Sequence, residues 1–360
     1  MDKVKINQCT ITLTRKCNLR CNFCYAKKTE YIENDIIDYD DLKKVIDFCD
    51  EARVKYIVFT GGEPTLYPQI FDILEYIKTK KNKIQVAIAT NGILLKNIEF
   101  CNKLVSCGVS YVDISLKGKD EEQCKALVGA ECFKAQEQAI QNLSKLKLDY
   151  TCSMVLTKEN VGSLCESVRN SLNKGAKQFS FTFVIDNEKT EYDEDTYWNI
   201  NNPHILIEAF MMQVEEINSI TEEWWIEYSF PLCVYTEEQL KILEGKMAFP
   251  CQIHNENGIT FDTELNLIPC NMYFENKIGK LGSDFLSYED FKNWMKNDAY
   301  RSVIDRLKEY PSEECKECSK LSICYGGCPV TWKNFTYRMV QNHKQECYEK
   351  KLSNLMHIKE

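Results

Sequence analysis

The stretch CNLRCNFCY, residues 17–25, sets the reading of the whole chain. Cys17, Cys21 and Cys24 place three thiols within eight residues as C-x3-C-x2-C. They directly follow the alternating run Gln8–Leu13, in which Cys9, Ile11 and Leu13 share one face of a strand. Three thiolates so spaced can wrap one corner of an iron–sulfur cubane and leave one iron to find its ligand elsewhere. A zinc knuckle closes with a fourth Cys or His nearby, and none follows before Cys49. The segment is also basic: Arg15, Lys16, Arg20, Lys27 and Lys28 occur with no acid between positions 15 and 28. Such a patch is either a solvated face or one that holds an anion or docks an acidic electron donor.

Outward from this loop the first half repeats a strand-then-helix pattern. Tyr56–Thr60, Lys83–Thr90, Ser110–Leu116, Tyr150–Leu156 and Gln178–Val184 are β-rich runs. Helical periodicity fills the intervals at Asp40–Glu51, Gln69–Lys80, Asn97–Cys107, Ala135–Leu146 and Asn160–Lys174. Six strands alternating with helices make a parallel α/β fold, and both an open doubly wound sheet and a partial barrel fit the pattern. The strand ends carry chemistry. Gly61, Gly62, Glu63 and Pro64 follow the second strand, where two glycines permit close backbone approach and Glu63 can accept from an ammonium. Thr90, Asn91 and Gly92 follow the third strand and Ser115 ends the fourth, at the strand C-termini where α/β proteins build sites.

After Val184 the alternation stops. An acidic run, Asp186–Asp195, reads as an exposed connector or, less simply, a surface for a basic peptide. A helical stretch covers Pro203–Asn218, and short β-like pieces follow Cys251, with a helix near Tyr288–Leu307. Boundaries near residues 190 and 250 divide the chain into 1–190, a connector with a helical segment at 191–250, and 251–360.

Composition narrows the function. The chain has 360 residues, 44% hydrophobic and 28% charged, which excludes disorder and low complexity and suggests two or so domains. A net charge of -9 argues against general nucleic-acid binding. There is no apolar run of membrane-spanning length, no N-terminal apolar segment, and mean hydropathy is -0.39, so the expected setting is the cytoplasm, with no membrane. There the 19 cysteines stay reduced and point to metal, redox chemistry or both. Several belong to a hydrophobic core: Cys49, Cys101, Cys124 and Cys165 sit at helical core spacing, and Cys9 and Cys152 lie on apolar strand faces. Cys107 and Cys132 fit no pattern clearly. The dense C-terminal set is Cys251, Cys270, Cys315-x2-Cys318-x5-Cys324-x3-Cys328 and Cys347; with Cys233, eight thiols there are also enough for two tetrahedral zinc sites.

Cys17, Cys21 and Cys24, with Tyr25 beside the last, resemble the signature of the radical S-adenosyl-L-methionine (radical SAM) superfamily. The resemblance implies a 4Fe-4S cluster whose open iron is chelated by the amine and carboxylate of SAM, and reductive cleavage to a 5′-deoxyadenosyl radical. Gly61-Gly62-Glu63-Pro64 resembles the family's GGEP motif, which holds the methionine amine; Asn91 and Ser115 stand at companion positions, the latter where ribose is hydrogen-bonded. The resemblance also implies a partial (β/α)6 TIM-like barrel. The C-terminal cysteines resemble the SPASM extension, which binds two auxiliary 4Fe-4S clusters, making three clusters in all. It implies that Cys315, Cys318, Cys324 and Cys347 hold the distal cluster and Cys251, Cys270 and Cys328 the proximal one. Cys233 is the candidate fourth proximal ligand; otherwise that iron is open. Two positions depart from the pattern. A usual glycine is Leu265, followed by Asn266, which is expected to serve the same turn. Asn271 follows Cys270 where sulfatase-maturing relatives carry an acidic base, and an amide cannot take a proton, so that activity is disfavoured.

What the resemblance implies is a radical SAM oxidoreductase that modifies a ribosomally synthesised precursor peptide (RiPP maturation) by thioether or carbon–carbon crosslinking or side-chain oxidation. A flavodoxin or ferredoxin-type reductant would serve it. Only 16 residues precede Cys17, so a separate leader-peptide recognition protein or direct core-peptide binding is expected. The alternatives are an oxidoreductase of a small molecule or cofactor precursor, and a non-catalytic iron–sulfur electron carrier, which has no need of Gly61–Pro64. No residue is singled out as general base.

Overall fold

Each of the six β-rich runs forms a strand within about two residues of its expected bounds: β1 (Gln8–Thr14), β2 (Tyr56–Gly61), β3 (Gln85–Thr90), β4 (Val109–Leu116), β5 (Asp149–Leu156) and β6 (Phe179–Phe183). The computed structural model describes residues 5–26, 34–185, 203–227, 230–249, 251–309 and 312–331. Cys347, the run 186–195 and Lys27 and Lys28 lie outside the described residues. The strands pair in parallel in the order 1-2-3-4-5-6, each beside its successor. A doubly wound sheet reverses its strand order at a switch point, whereas a barrel winds in one direction, so the order selects the partial barrel of an α/β fold.

The helices that return the chain are α1 (Tyr39–Glu51), α2 (Ile70–Lys78), α3 (Ile98–Ser106), α4 (Glu121–Val128), α5 (Phe133–Leu146) and α6 (Leu164–Leu172). α1 shows why they form where they do. Asp38 accepts from the backbone N–H groups of Asp40 and Asp41, and Leu42, Val45, Ile46, Phe48 and Cys49 bury one face. The unexpected helix is α4. It is short, with Cys124, Leu127 and Val128 buried on one face, and it is bounded by an Asp120 N-cap and a left-handed Gly129 at its end.

Beyond β6, α7 (Pro203–Ile220) leads to β7 (Trp224–Glu227), and α8 (Glu237–Ile242) to β8 (Met247–Ala248), which extend the sheet in parallel past β6. At the other edge, after α9 (Gln252–Asn255), β9 (Gly258–Phe261) pairs in parallel with β1, from Gln8↔Gly258 to Ile11↔Phe261, and carries antiparallel β10 (Asn266–Ile268) and β11 (Gly279–Lys280). The helix expected over Tyr288–Leu307 is two, α10 (Tyr288–Trp294) and α11 (Asp298–Leu307). Asn297 and Asp298 favour a helix start over a helix interior, and Asn297 O accepts from Arg301 N in the new helix. The region is fixed to the barrel by aromatic packing: Phe48 of α1 meets Phe261, Phe285, Tyr288 and Phe291 with ring centroids 5.4–5.9 Å apart.

The turn from β9 to β10 corrects one expectation. Leu265 itself, not Asn266, takes the left-handed conformation, with φ 66°. The Asp262 carboxylate forces the turn by accepting from the N–H groups of Glu264 and Asn266, and the Leu265 side chain is buried. Core packing thus offsets a backbone cost of about 1 kcal/mol.

Candidate active site

The cysteine loop after β1 is anchored from below. Leu19 is buried against Leu127, Val128, Cys124 and Cys132, with Cys17 and Cys21 packed on the same cluster. Arg20 N donates to Val128 O at 3.0 Å and Asn22 N to Leu127 O at 2.9 Å, so α4 is the loop's support. Of the basic residues, Arg15 pairs with Asp35 at 3.0 Å, and the Arg20 guanidinium donates to the carbonyls of Cys17 and Leu19 at 2.8 and 2.9 Å. Part of the patch therefore braces the loop rather than standing free.

The end of β2 runs along the same loop. Gly62 N donates to Thr14 O at 2.7 Å and Glu63 N to Lys16 O at 2.8 Å. A Cβ on Gly61 would overlap the Thr14 carbonyl, and one on Gly62 the carbonyls of Arg15 and Lys16. The close approach that both glycines permit is thus to the cysteine loop. Pro64 opens a short 3-10 turn, Pro64–Leu66, and Glu63 caps it. The buried Glu63 carboxylate accepts from Thr65 N and Oγ1 (3.1 and 2.5 Å), from Thr90 Oγ1 at 2.6 Å and from Asn91 N at 2.8 Å. Oε1 carries three of these bonds and Oε2 only one. Glu63 is therefore first a cross-strand tie between β2 and β3, with acceptor capacity left at Oε2.

Asn91 Nδ2 donates to Asn18 Oδ1 at 2.7 Å, joining β3 to the cysteine loop. Gln136 of α5, buried, donates through Nε2 to the carbonyls of Asn91 and Ser115, both at 2.8 Å. Ser115 Oγ accepts from the buried Lys117 Nζ at 2.7 Å. Asn18, Gln136 and Lys117 were not marked by the sequence. Lys117 stands two residues beyond Ser115 on the same face, which strand alternation would have revealed; Gln136 shows only as a polar residue on an apolar helix face.

The cysteines divide by the direction of their hydrogen bonds. Cys17 Sγ accepts from Leu19 N at 3.4 Å and Cys324 Sγ from Leu232 N at 3.2 Å. Backbone N–H groups of Gly326 and Gly327 also face Cys324, those of Ile253 and His254 face Cys251, and those of Val330 and Thr331 face Cys328. Tyr325, Gly326 and Gly327, the x3 spacer between Cys324 and Cys328, all have positive φ, which turns these amides inward. The core thiols give their protons away: Cys101, which only its own backbone N–H faces, donates to Leu95 O at 3.1 Å and Cys165 to Gln213 O at 3.6 Å. Cys9, Cys49, Cys107, Cys124, Cys132 and Cys152 are buried, which gives Cys107 and Cys132 their place in the core. Sulfur that receives N–H bonds is the form an iron–sulfur cluster requires. Burial raises the Cys17 thiol to about 11 and Cys328 to about 12, so each needs such donors, or a metal, to ionise.

Cys251, Cys270 and Cys328 surround Tyr273, and Cys328 feels the charges of the other two. Cys324 feels Cys315, and Cys318 is exposed. Cys233 lies in the turn Leu232–Val234, whose Leu232 contact is to Cys324. Among the described residues, no three Cys, His, Asp or Glu side chains converge on one metal ion. Tyr25 stands between the two regions: its hydroxyl donates to Gly61 O at 3.4 Å, and burial, then Cys24, Cys270 and Cys17, push its phenol up. A small cavity joins Tyr25, Gly61, Gly62 and Arg15 to Asn271, whose Oδ1 is buried without a partner.

Residues 11–170 match the family model described as the Radical SAM superfamily. In sequence, the chain is 28% identical over 160 residues to a probable GTP 3',8-cyclase of Thermococcus kodakarensis, 43% of this chain and 51% of that protein. It is 25% identical over 242 residues to GTP 3',8-cyclase of Clostridium perfringens, 61% of this chain and 74% of the relative. Against the tungsten-containing aldehyde ferredoxin oxidoreductase cofactor-modifying protein of Pyrococcus furiosus, it is 32% identical over 174 residues, 46% of this chain and 48% of that one. The chain thus spans about half the length of several curated relatives that it matches. In structure it resembles native anSMEcpe with bound AdoMet, with a TM-score of 0.68 and 19% identity over 98% of each chain. It also resembles Streptococcus suis SuiB bound to precursor peptide SuiA, with a TM-score of 0.69 and 17% identity over 93% of this chain and 76% of that one. At these identities the likeness is one of fold.

Proposed function

We propose, from the premise that residues 11–170 form a radical SAM domain, that this enzyme modifies a precursor peptide oxidatively, with two auxiliary clusters in its C-terminal region. The family implies SAM and one 4Fe-4S cluster, which together supply a 5′-deoxyadenosyl radical when bound. In this reading Cys17, Cys21 and Cys24 hold that cluster, and Tyr25 and the backbone of Gly61 and Gly62 line the SAM site. Glu63 and Pro64 shape the strand end, with Oε2 of Glu63 open to an ammonium, while Asn91 and Ser115 meet the nucleoside. Lys117 supplies a cation beside them for a carboxylate.

The observation that carries the auxiliary clusters is the hydrogen-bond direction at sulfur. Cys251, Cys324 and Cys328 are provided with amide donors as Cys17 is, and unlike the core thiols. Cys315, Cys318, Cys324 and Cys347 form the proposed distal set, and Cys251, Cys270 and Cys328 the proximal one. Cys233 remains the candidate fourth ligand, although its turn contacts the distal set. Oxidative chemistry suits such clusters, because an electron left on a substrate radical needs an acceptor. A peptide substrate is supported by the fold shared with SuiB, whose structure holds a precursor peptide. A ferredoxin or flavodoxin is the proposed reductant, and the segments 1–190, 191–250 and 251–360 the proposed divisions.

The sequence likeness to GTP 3',8-cyclases favours a second reading, a small-molecule substrate. Anaerobically reconstituted protein should cleave SAM to 5′-deoxyadenosine. Replacing Cys17, Cys21 and Cys24 by Ala should remove about four of about twelve irons and abolish cleavage; intact cleavage sinks the assignment. Co-expression with a short peptide encoded beside the gene, followed by mass spectrometry, separates the two substrates: loss of hydrogens from the peptide supports the first, and an unchanged peptide the second.

A further inference from the structure

β4 alternates between two environments. Val112, Ile114 and Leu116 are buried under the helices, while Tyr111, Asp113 and Ser115 point to the other face, into the barrel. The inward positions of the next strands are mixed: Thr151, Ser153 and Val155 on β5, Ser180 and Thr182 on β6, and Trp225 and Glu227 on β7, five of the seven being polar. A packed barrel fills this space with branched apolar side chains, so a polar interior signals a ligand cavity. Two of its groups are carboxylates. Glu227, three strands from Asp113, lies close enough to feel its charge.

Neither carboxylate has an ion pair among the described residues. Glu227 Oε2 accepts from Thr182 Oγ1 at 3.3 Å, and Ser153 leans on Asp113, but Asp113 Oδ1 is fully buried with no hydrogen-bond partner. The charged and titratable groups around Asp113 are Tyr111 on its own strand, Cys152 on β5, Glu227 on β7 and Lys117. Tyr111 bonds to Thr151, and the Lys117 ammonium donates to Ser115, lies over the Phe23 ring and acts on Asp113 through its charge without pairing with it. Burial first, and for Glu227 also the charge of Asp113, holds both carboxyls above the ordinary carboxylate range. Two partly buried acids, met among the described residues only by the donors Ser153, Trp225 and Thr182 and by the charge of Lys117 at Asp113, keep acceptor capacity that a cationic ligand can fill.

We propose that Asp113 and Glu227 form a substrate subsite inside the barrel for an alkylammonium or guanidinium group. The proposal deepens the function above and rests on it only in taking the barrel interior as the substrate's place. A cation bound between them favours the ionised carboxylates over the protonated acids, so its affinity rises as pH rises through the raised carboxyl range. The cation comes either from a Lys or Arg side chain of a peptide or from a small-molecule amine.

The test uses the cluster-loaded full-length protein without reductant, so that it is independent of SAM cleavage. Infrared difference spectra are recorded as n-butylammonium, N-acetyl-lysine methylamide or N-acetyl-arginine methylamide chloride is added at constant ionic strength. A protonated-carboxyl band should fall saturably with the cation, and the apparent affinity should drop about tenfold or more in Asp113→Asn and in Glu227→Gln. Tighter binding of the acetylated probes assigns the source to a peptide, and tighter binding of the free amine to a small molecule. Absence of a saturable change with all three cations, or unchanged affinity in both variants, overturns the subsite. Melting temperature and iron content verify that each variant is folded, and the Glu227→Gln variant, nearer the sheet edge, decides the matter if Asp113→Asn is not.

Discussion

At the residue scale, a thiol's role is written in which way its hydrogen bond points. Cys101 gives its proton to a carbonyl, whereas Cys17 and Cys324 receive amides from other residues, in line with the helical core spacing of the first and the dense cysteine motifs of the others. Glu63 carries a similar lesson: a residue placed by motif as an ammonium acceptor is mostly consumed in holding β2 to β3. Glu63→Ala should leave the N–H groups of Thr65 and Asn91 unsatisfied in the interior, and lower stability by about 3–5 kcal/mol in urea unfolding. Leu265 presents two opposed effects. Leu265→Gly relieves about 1 kcal/mol of left-handed strain but removes a buried side chain worth about 2–5 kcal/mol, so the variant should be destabilised by about 1–4 kcal/mol; a rise in melting temperature would contradict this. The sequence pointed to a turn at that place but assigned its special conformation to Asn266, because the amide is the commoner left-handed residue. The carboxylate of Asp262, three positions earlier, is what moves it to Leu265.

At the element scale, the six strands and five of the six barrel helices were legible because apolar periodicity is the same signal that buries them. α4 was not, since its eight residues depend on caps and on Leu19 packing from the loop it supports. Periodicity also could not choose between a barrel and a doubly wound sheet, because strand order is a property of pairing and not of any one strand. The aromatic junction of α1 with α10 is likewise a product of distant segments. Phe291→Ala should cost about 3–5 kcal/mol and speed amide exchange across 258–295 more than across β2–β4; uniform exchange would show that the junction does not fix this region.

At the scale of the whole molecule, the cysteine sets were visible in spacing and Lys117 was within reach of strand alternation, while Asn18, Gln136 and the barrel acids became visible only once strand register brought them together. A loop motif is local, but a cavity wall needs four strands to exist. Replacing Cys315 and Cys318 by Ala should impair about four of the irons yet leave SAM cleavage measurable, while any product on a substrate falls sharply. If SAM cleavage vanishes with them, the C-terminal cysteines serve the first cluster and not a separate one.

β1, which launches Cys17, is clasped on both sides, by β2 and by β9. That splint forbids a swinging door between the Cys17 loop and the strands that follow Cys251, because four successive ladder positions, Gln8↔Gly258 to Ile11↔Phe261, would have to unzip. Both outer margins are held more lightly, β8 to β7 by two positions, Ile226↔Met247 and Glu227↔Ala248, and β11 to β10 by two, Asn266↔Lys280 and Leu267↔Gly279. Motion that spares the seam beside Cys17 is therefore confined to these margins, and Glu227 lies in the last pairing of one of them.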